Sequence, residues 1–235
     1  MSIKTIMSVC GPDFPDSALR DLAQLAATAG AHLALVLVAV AEPPPVGEYA
    51  AELAVEWQEL RARELQALAE KAEHARSVLA VQDISFDVET EYAEAGWLDN
   101  AVGLRARYTD IVVLNRKVLD DLAIAEPVME GSLFHSARPV LVVPAGTAPS
   151  FAPKTVLIAW DSRLEAARAV GQSLELLRAA GKVHVVIVDP VASDLRYGGE
   201  PGADIATYLA RHGLDVIVER LASGGAPASD VIKRH

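Results

Sequence analysis

The residues of this chain that could support nucleophilic or metal chemistry are few and scattered. Cys10 is the single cysteine, and it ends an apolar segment with no base nearby in the sequence. A lone cysteine in this setting is typical of core packing rather than of catalysis. The histidines show neither H-x-x-x-H nor H-x-H spacing, which argues against a zinc site. Without a G-x-S-x-G motif or a glycine loop ending in Lys-Ser or Lys-Thr, α/β-hydrolases and P-loop enzymes are disfavoured too. We predict no catalytic residue and no metal ligand.

Charge and hydropathy narrow the range of partners. The 235 residues carry a formal net charge of −11, and 51% of them are hydrophobic. A chain this acidic repels phosphate backbones and anionic lipid surfaces, so we expect neither a nucleic-acid partner nor a membrane partner. The longest apolar run, residues 33–41, is far shorter than a membrane span, and the N-terminus lacks the pattern of a signal peptide. We therefore expect a cytoplasmic protein.

The elements that must position any site alternate regularly along the chain. Short β-branched segments are separated by longer segments rich in Ala and Leu, which predicts βαβ units around a parallel sheet. The predicted strands of the first part cover residues 4–10, 32–41, 84–91, 110–115 and 139–144. A long helix is predicted over residues 48–81. The residues expected to face inward are Leu53, Trp57, Leu60, Leu65 and Leu68.

The pattern then starts again after a linker. Residues 145–153 are rich in glycine and proline, and the segment 154–160 that follows matches 4–10 position by position. We infer an internal duplication with domains at residues 1–147 and 154–235. Matched against the first copy, the second is truncated and lacks the equivalent of about 40 residues. Its glycine-rich segment 198–202 is interpreted as a flexible connection rather than a phosphate loop, because it carries Glu200.

Four segments together resemble a known family. They are residues 107–114 and 136–144 of the first copy and residues 155–162 and 185–190 of the second. In order and duplication they resemble the universal stress protein family in its tandem two-domain form. The resemblance implies an α/β fold of the Rossmann-like, adenine-nucleotide-binding type, with tandem open parallel five-stranded sheets, helices on both faces and the second copy truncated. It also implies that the two halves pack as a domain pair or that the chain forms a homo-oligomer.

Some members of this family bind ATP, and the resemblance allows their site to be compared with the first copy. The family site needs an Asp after the first strand and, after the fourth, a loop of the form Gly-x₂-Gly-x₉-Gly-Ser/Thr. Here the Asp position holds Gly11, although Asp13 is close, and Asn115 replaces the first glycine. The final pair is occupied by Glu126 and Pro127, since Gly131-Ser132 lies one helical turn too far along. We expect no ATP binding by the first domain.

The second copy retains part of that site. Asp161 stands at the family's nucleoside position and is followed by Ser162, and Ile187 aligns with the residue whose backbone contacts adenine. The resemblance therefore implies Asp161, Ser162 and Ile187 as the cofactor-binding residues. ATP is the cofactor to consider, with weak affinity at most because the phosphate loop has no counterpart in the chain. An Asp directly after a strand also commonly caps a turn or a helix, and this alternative stays open for Asp161.

Three functions are compatible with these residues. The first is a non-enzymatic universal stress protein that acts as a stress-response or regulatory module. The second is an enzyme that hydrolyses or transfers a nucleotide with Asp161, which lacks an identifiable general base or second carboxylate. The third is a ligand-free oligomeric scaffold in which apolar sheet edges pair between chains. We favour the first because the resemblance spans essentially the whole chain.

Overall fold

The computed structural model describes residues 3–191 and 200–235. Contacts within the chain divide it into two units, and the boundary between Pro149 and Ser150 falls inside the predicted linker. Gly198 and Gly199, from the predicted flexible connection, lie outside the described residues. Among the helices of the described ranges, none combines the length and the apolar character needed to cross a bilayer.

The first unit is built on a parallel sheet of five strands in the order β3-β2-β1-β4-β5. The strands are β1 (Thr5–Cys10), β2 (His32–Ala41), β3 (Phe86–Glu94), β4 (Ile111–Asn115) and β5 (Val140–Val143). The central strands β1, β2 and β4 are mostly apolar and mostly buried, as expected for parallel strands that are covered on both faces. The predicted α/β fold with a parallel sheet is confirmed.

Helices cover both faces of this sheet. They are α1 (Asp16–Ala29), α2 (Ala50–Ala80), α3 (Ala95–Ala106), α4 (Arg116–Asp120) and α5 (Ala125–Glu130), and a π-helical turn, Gly131–His135, follows α5. Right-handed crossovers place α1 and α2, which pack together, on one face and place α3 and α5 on the other. The strand order reverses between β1 and β4. In parallel sheets, ligands bind at the carboxyl ends of the strands beside such a reversal.

Only the second half of α2 packs as a helix of the core. Its buried residues are Leu68, Ala72, Ala75 and Leu79. Leu53 and Leu65 are 49% and 41% exposed, so the prediction that they face inward was wrong. A helix of 31 residues is about 46 Å long, whereas β2 with 10 residues spans about 33 Å. The helix therefore extends beyond the sheet that could bury its first half.

Polar and aromatic contacts hold the middle of α2 instead. The Trp57 Nε1–H donates a hydrogen bond to the carbonyl oxygen of Glu42 at 3.1 Å. The Arg61 guanidinium lies 4.9 Å from the centre of the Tyr92 ring, and the Tyr92 hydroxyl donates to a Glu64 carboxylate oxygen at 2.6 Å. These contacts join α2 to the carboxyl ends of β2 and β3.

The Tyr92 contact predicts a late tyrosine ionisation. Burial first, and then the hydrogen bond to the Glu64 carboxylate, raise the pKa of Tyr92 to about 12. Because this folded value lies above the ordinary value of about 10, the contribution to stability is complete below about pH 10 and is lost as the pH rises through 12. We expect Tyr92→Phe to remove the last step of a tyrosinate absorbance titration. Persistence of the step near pH 12 in Tyr92→Phe would contradict the assignment.

The second unit contains a three-stranded parallel sheet in the order β6-β7-β8 among its described residues. Its strands are β6 (Thr155–Ala159), β7 (Lys182–Val188) and β8 (Val216–Leu221), and its helices are α6 (Leu164–Ala179), α7 (Ala203–Arg211) and α8 (Ala228–Arg234). One face of the sheet packs against α6 and α7 in a core that includes Ile158, Leu177, Val185, Ile187 and Leu209.

Gly171 offers a stabilising substitution in this unit. It lies inside α6 on an exposed position, and a β-carbon added there has no atom within 4 Å. Alanine loses less conformational entropy in a helix than glycine does. We expect Gly171→Ala to raise the free energy of unfolding by about 0.5–1 kcal/mol, measured by urea unfolding. A lower stability would mean that the position is not open.

Candidate functional site

The reversal of strand order in the first unit lies beside a cleft. β1 ends at Cys10 and β4 ends at Asn115, and the segments that follow both strands line a cavity of about 280 Å³. The lining residues are Gly11, Pro12, Asp13, Phe14, Lys117, Val118, Asp120, Asp121 and Ile124. This is the edge of the sheet at which the fold would place a ligand.

The charges of this cleft do not suit a phosphate group. Asp13, Asp120 and Asp121 contribute carboxylates, whereas Lys117 is the one cationic residue among those that line the cavity. Asp120 pairs with Arg116 at 2.8 Å, but the other two acids have no such neutralising partner among the described residues. Phosphate oxygens would meet net negative charge at short range, which is unfavourable.

Several backbone positions around the cleft offer no free donor. The side chain of Asn115 already accepts the hydrogen bond from the backbone N–H of Lys117 at 3.0 Å, which caps α4. The Asp121 side chain accepts from the backbone N–H of Ala123 at 3.0 Å, and Pro127 in the first turn of α5 has no N–H. Two N–H groups of this region are therefore already bonded and Pro127 supplies none, whereas glycine loops bind phosphate with free N–H groups.

Gly131 and Ser132 do not supply the missing donors. The backbone N–H of Gly131 bonds to the carbonyl oxygen of Pro127, and the Ser132 hydroxyl donates to that of Val128 at 2.7 Å. Both residues are buried in the π-helical turn. Their role is to pack this turn against α3.

A smaller cavity of about 100 Å³ adjoins the cleft, since Pro12 and Phe14 line both. Cys10, Leu35 and Leu37 also line it, and burial raises the pKa of the Cys10 thiol well above its ordinary range. The thiol thus stays protonated and does not act as a nucleophile at neutral pH. Within residues 3–191 and 200–235, no group of three His, Cys, Asp or Glu side chains is arranged to hold a metal ion.

In the second unit, Asp161 forms a turn after β6. Its Oδ1 accepts a hydrogen bond from the backbone N–H of Arg163 at 3.0 Å, and α6 begins one residue later. Ser162 between them has a left-handed φ of 61° and a hydroxyl without a hydrogen-bond partner among the described residues. The other Asp161 oxygen lies 3.4 Å from Nε of Arg163. This hydrogen bond supports the interpretation of Asp161 as a turn residue. It involves Oδ1, so the second carboxylate oxygen of Asp161 takes no part in it.

Ile187 lies at the corresponding end of the neighbouring strand. Val186 is opposite Ala159 in the register of β7 and β6, which places Ile187 beside Trp160, one residue before Asp161. The Ile187 side chain is fully buried among the core residues on the helical side of the sheet. Only its backbone could therefore face a ligand. The assignment of Asp161, Ser162 and Ile187 to a nucleotide stays a prediction.

Sequence reasoning assigned no site role to Asp189, which follows β7 directly. It has a left-handed φ of 47°, and its Oδ1 accepts a hydrogen bond from the backbone N–H of Ser223 at 2.9 Å. Hydrogen bonding to Ser223 lowers the pKa of Asp189. The position of an Asp between a strand and Pro190 was the available signal. Asp189 orders the carboxyl ends of β7 and β8 near the predicted nucleotide residues.

Comparison with known proteins identifies this fold. No protein-family model matches the chain, and no curated protein matches it. A universal stress protein from Archaeoglobus fulgidus DSM 4304 is 16% identical, with a TM-score of 0.58 over 98% of this chain and 80% of that chain. A protein assigned as a universal stress protein from Pseudomonas aeruginosa UCBPP-PA14 is 17% identical, with a TM-score of 0.53 over 99% and 78%.

A third structure, a protein of unknown function from Pseudomonas aeruginosa PAO1, is 17% identical and has a TM-score of 0.50 over 99% of this chain and 77% of that chain. At this level of identity the likeness concerns the fold and carries no site residue across. The chain has the fold of universal stress proteins, an α/β fold of the Rossmann-like class. The fold that the sequence resemblance implied is confirmed.

Proposed function

We propose that this chain is a universal stress protein that acts in the cytoplasm as a non-enzymatic stress-response module. The observation that supports it is the fold, shared over 98% of the chain with a universal stress protein. The acidic cleft of the first unit agrees with a protein that does not process a nucleotide there, since Asp13, Asp120 and Asp121 surround the space where phosphates would lie.

An adenine nucleotide, in this proposal, belongs to the second unit and binds weakly. Asp161 would accept a hydrogen bond from a ribose hydroxyl with Oδ2, which the backbone N–H of Arg163 does not use and which lies 3.4 Å from the Arg163 Nε. Ser162 has a hydroxyl with no partner, and the Ile187 backbone would contact the base. Arg163 beside Asp161 is a cation and not a general base, which supports binding rather than turnover.

Isothermal titration of the whole chain with ATP tests this assignment, with Asp161→Ala as the variant and Asp13→Ala as its matched control in the first unit. We expect weak ATP binding that Asp161→Ala reduces by about tenfold, as loss of a hydrogen bond to a charged group does, and that Asp13→Ala leaves unchanged. Binding that depends on Asp13 would overturn the assignment. ATP hydrolysis that disappears in Asp161→Ala would favour the enzyme instead.

The oligomeric part of the proposal is tested separately. We expect either a homo-oligomer or a monomer in which the two units form a domain pair. Light scattering combined with size-exclusion chromatography measures the mass of the particle against the 24.9 kDa of one chain. A homo-oligomer that binds no nucleotide under any condition would favour the scaffold function.

A further inference from the structure

Two arginines lie together at the amino ends of β4 and β5, away from the cleft. Arg107 follows α3, and its Nε donates a hydrogen bond to the carbonyl oxygen of His135 at 2.9 Å. Arg138 precedes β5, and its Nη2 donates to the carbonyl oxygen of Arg107 at 2.6 Å. Each guanidinium is thus held by a neutral carbonyl group. Within the described part of the chain, neither forms an ion pair with a carboxylate.

The backbone between the π-helical turn and β5 is bent to bring Arg138 to this place. Ala137 has a φ of 57°, a left-handed conformation that residues other than glycine seldom adopt. The Ser136 hydroxyl oxygen accepts a hydrogen bond from the backbone N–H of Arg138 at 3.1 Å and fixes the bend. Strained conformations of this kind cluster at functional positions. The Nε of Arg138 is buried and has no hydrogen-bond partner among the described residues, so only the terminal nitrogens of this guanidinium could contact a partner.

Two exposed aromatic residues flank the arginines. Tyr108 is 86% exposed and follows Arg107, and Phe134 is 78% exposed and precedes His135. Each aromatic residue is therefore the sequence neighbour of one of the two residues, Arg107 and His135, that the hydrogen bond joins. Arginine together with tyrosine or phenylalanine is the composition in which protein interfaces are enriched. We call Arg107, Tyr108, Phe134 and Arg138 the arginine–aromatic surface.

We propose that the arginine–aromatic surface docks an acidic peptide segment of a partner protein. Its two guanidiniums would receive carboxylates, for which planar guanidinium groups are suited, and its aromatic rings would pack against apolar side chains of the same segment. Two guanidiniums without a carboxylate partner among the described residues, on a chain of net charge −11, complement an acidic segment better than a basic one.

Because the Tyr108 and Phe134 rings are both exposed, they belong to an open surface and not to the enclosed pocket that a small molecule needs. A nucleic acid carries one charge per phosphate and would be repelled by the remainder of the chain, whereas a short acidic segment meets only this surface. The proposal does not rest on nucleotide binding, because the surface lies at the opposite edge of the sheet from the cleft.

Fluorescence polarisation at low salt tests the proposal with three labelled probes. They are a short peptide in which Glu alternates with Leu and Trp, the same peptide with Lys in place of Glu, and an oligouridylate. We expect saturable binding of the acidic peptide only. The double variant Arg107→Glu/Arg138→Glu should weaken it by at least about tenfold, as loss of complementary charge at an interface does. Arg63→Glu is the matched control, because Arg63 is also exposed and donates its Nε to a backbone carbonyl, that of Glu59.

A second variant tests the proposal even if the arginine double variant fails to fold. Tyr108→Ser/Phe134→Ser alters only exposed rings, so we expect a folded protein by circular dichroism that binds the acidic peptide about tenfold more weakly. The proposal is overturned if the wild-type chain does not bind the acidic peptide or if Arg63→Glu weakens binding as much as the double variant does. It is also overturned if the oligouridylate binds more tightly than the peptide.

Discussion

Replacing Gly103 with alanine is expected to destabilise the first unit by about 1–3 kcal/mol, the usual cost of an extra carbon in a packed core. Gly103 lies inside α3, and a β-carbon at this position would overlap the β-carbon of His135 and approach the carbonyl oxygen of Gly131 to 3.0 Å. Both opposing groups belong to the π-helical turn. The close-packed interior cannot absorb the extra atom unless the turn separates from α3. Urea unfolding followed by circular dichroism measures the loss.

Gly131→Ala should have a similar effect from the other side of the same contact. A β-carbon at this position would overlap the carbonyl oxygen of Asp99 and lie 3.0 Å from the β-carbon of Val102. Gly96→Ala is the control, because Gly96 is in α3 as well but has no atom within 4 Å of an added β-carbon. Equal unfolding midpoints for Gly103→Ala and Gly96→Ala would show that α3 and the turn are not in tight contact.

The Gly131→Ala variant also tests whether Gly131 binds a nucleotide phosphate or packs the π-helical turn. Gly131 and Ser132 have the residue types that a phosphate loop needs, so a nucleotide role for Gly131 would predict a loss of binding without a loss of stability. A packing role predicts the reverse. The two outcomes are separated by measuring the urea midpoint and the ATP titration on the same Gly131→Ala sample.

Ile187→Ala is expected to destabilise the second unit by about 2–5 kcal/mol. The side chain is fully buried in the core formed by the sheet and by α6 and α7, so truncation leaves a cavity that the surrounding residues fill only in part. In a unit of this size such a loss is a large share of the total stability. Urea unfolding followed by tryptophan fluorescence reports it, because Trp160 packs against the same core.

The matched control is Ile217→Ala, which removes the same atoms from β8 of the same unit. Ile217 is 42% exposed, so its truncation leaves no enclosed cavity and should cost far less. Ile187→Val, which keeps most of the side chain, should cost about 0.5–1.5 kcal/mol. If Ile187→Ala and Ile217→Ala unfold at the same urea concentration, the Ile187 side chain is not a core residue.

Local sequence patterns indicate where the strands and helices of this chain begin and end, but not which residues pack against them. β2 was predicted at residues 32–41 and is observed at His32–Ala41, and the long helix predicted at 48–81 is observed at Ala50–Ala80. Strand and helix periods and the glycine or proline that ends each element are properties of neighbouring residues, so they are visible in the sequence. The residues that pack against each face of a helix are not visible in the sequence. For this reason Leu53 and Leu65 were wrongly predicted to face inward.

The sequence by itself determined the alternation of strands and helices, the linker and the absence of glycines from the loop after β4. Tertiary structure alone decided that Gly103 and Gly131 form a contact between segments 28 residues apart, that Ile187 turns its side chain into a core, and that Arg107 and Arg138 share one surface. The physical reason is that hydrogen bonding and hydrophobic periodicity act along the chain, whereas packing and charge placement depend on residues that only folding brings together.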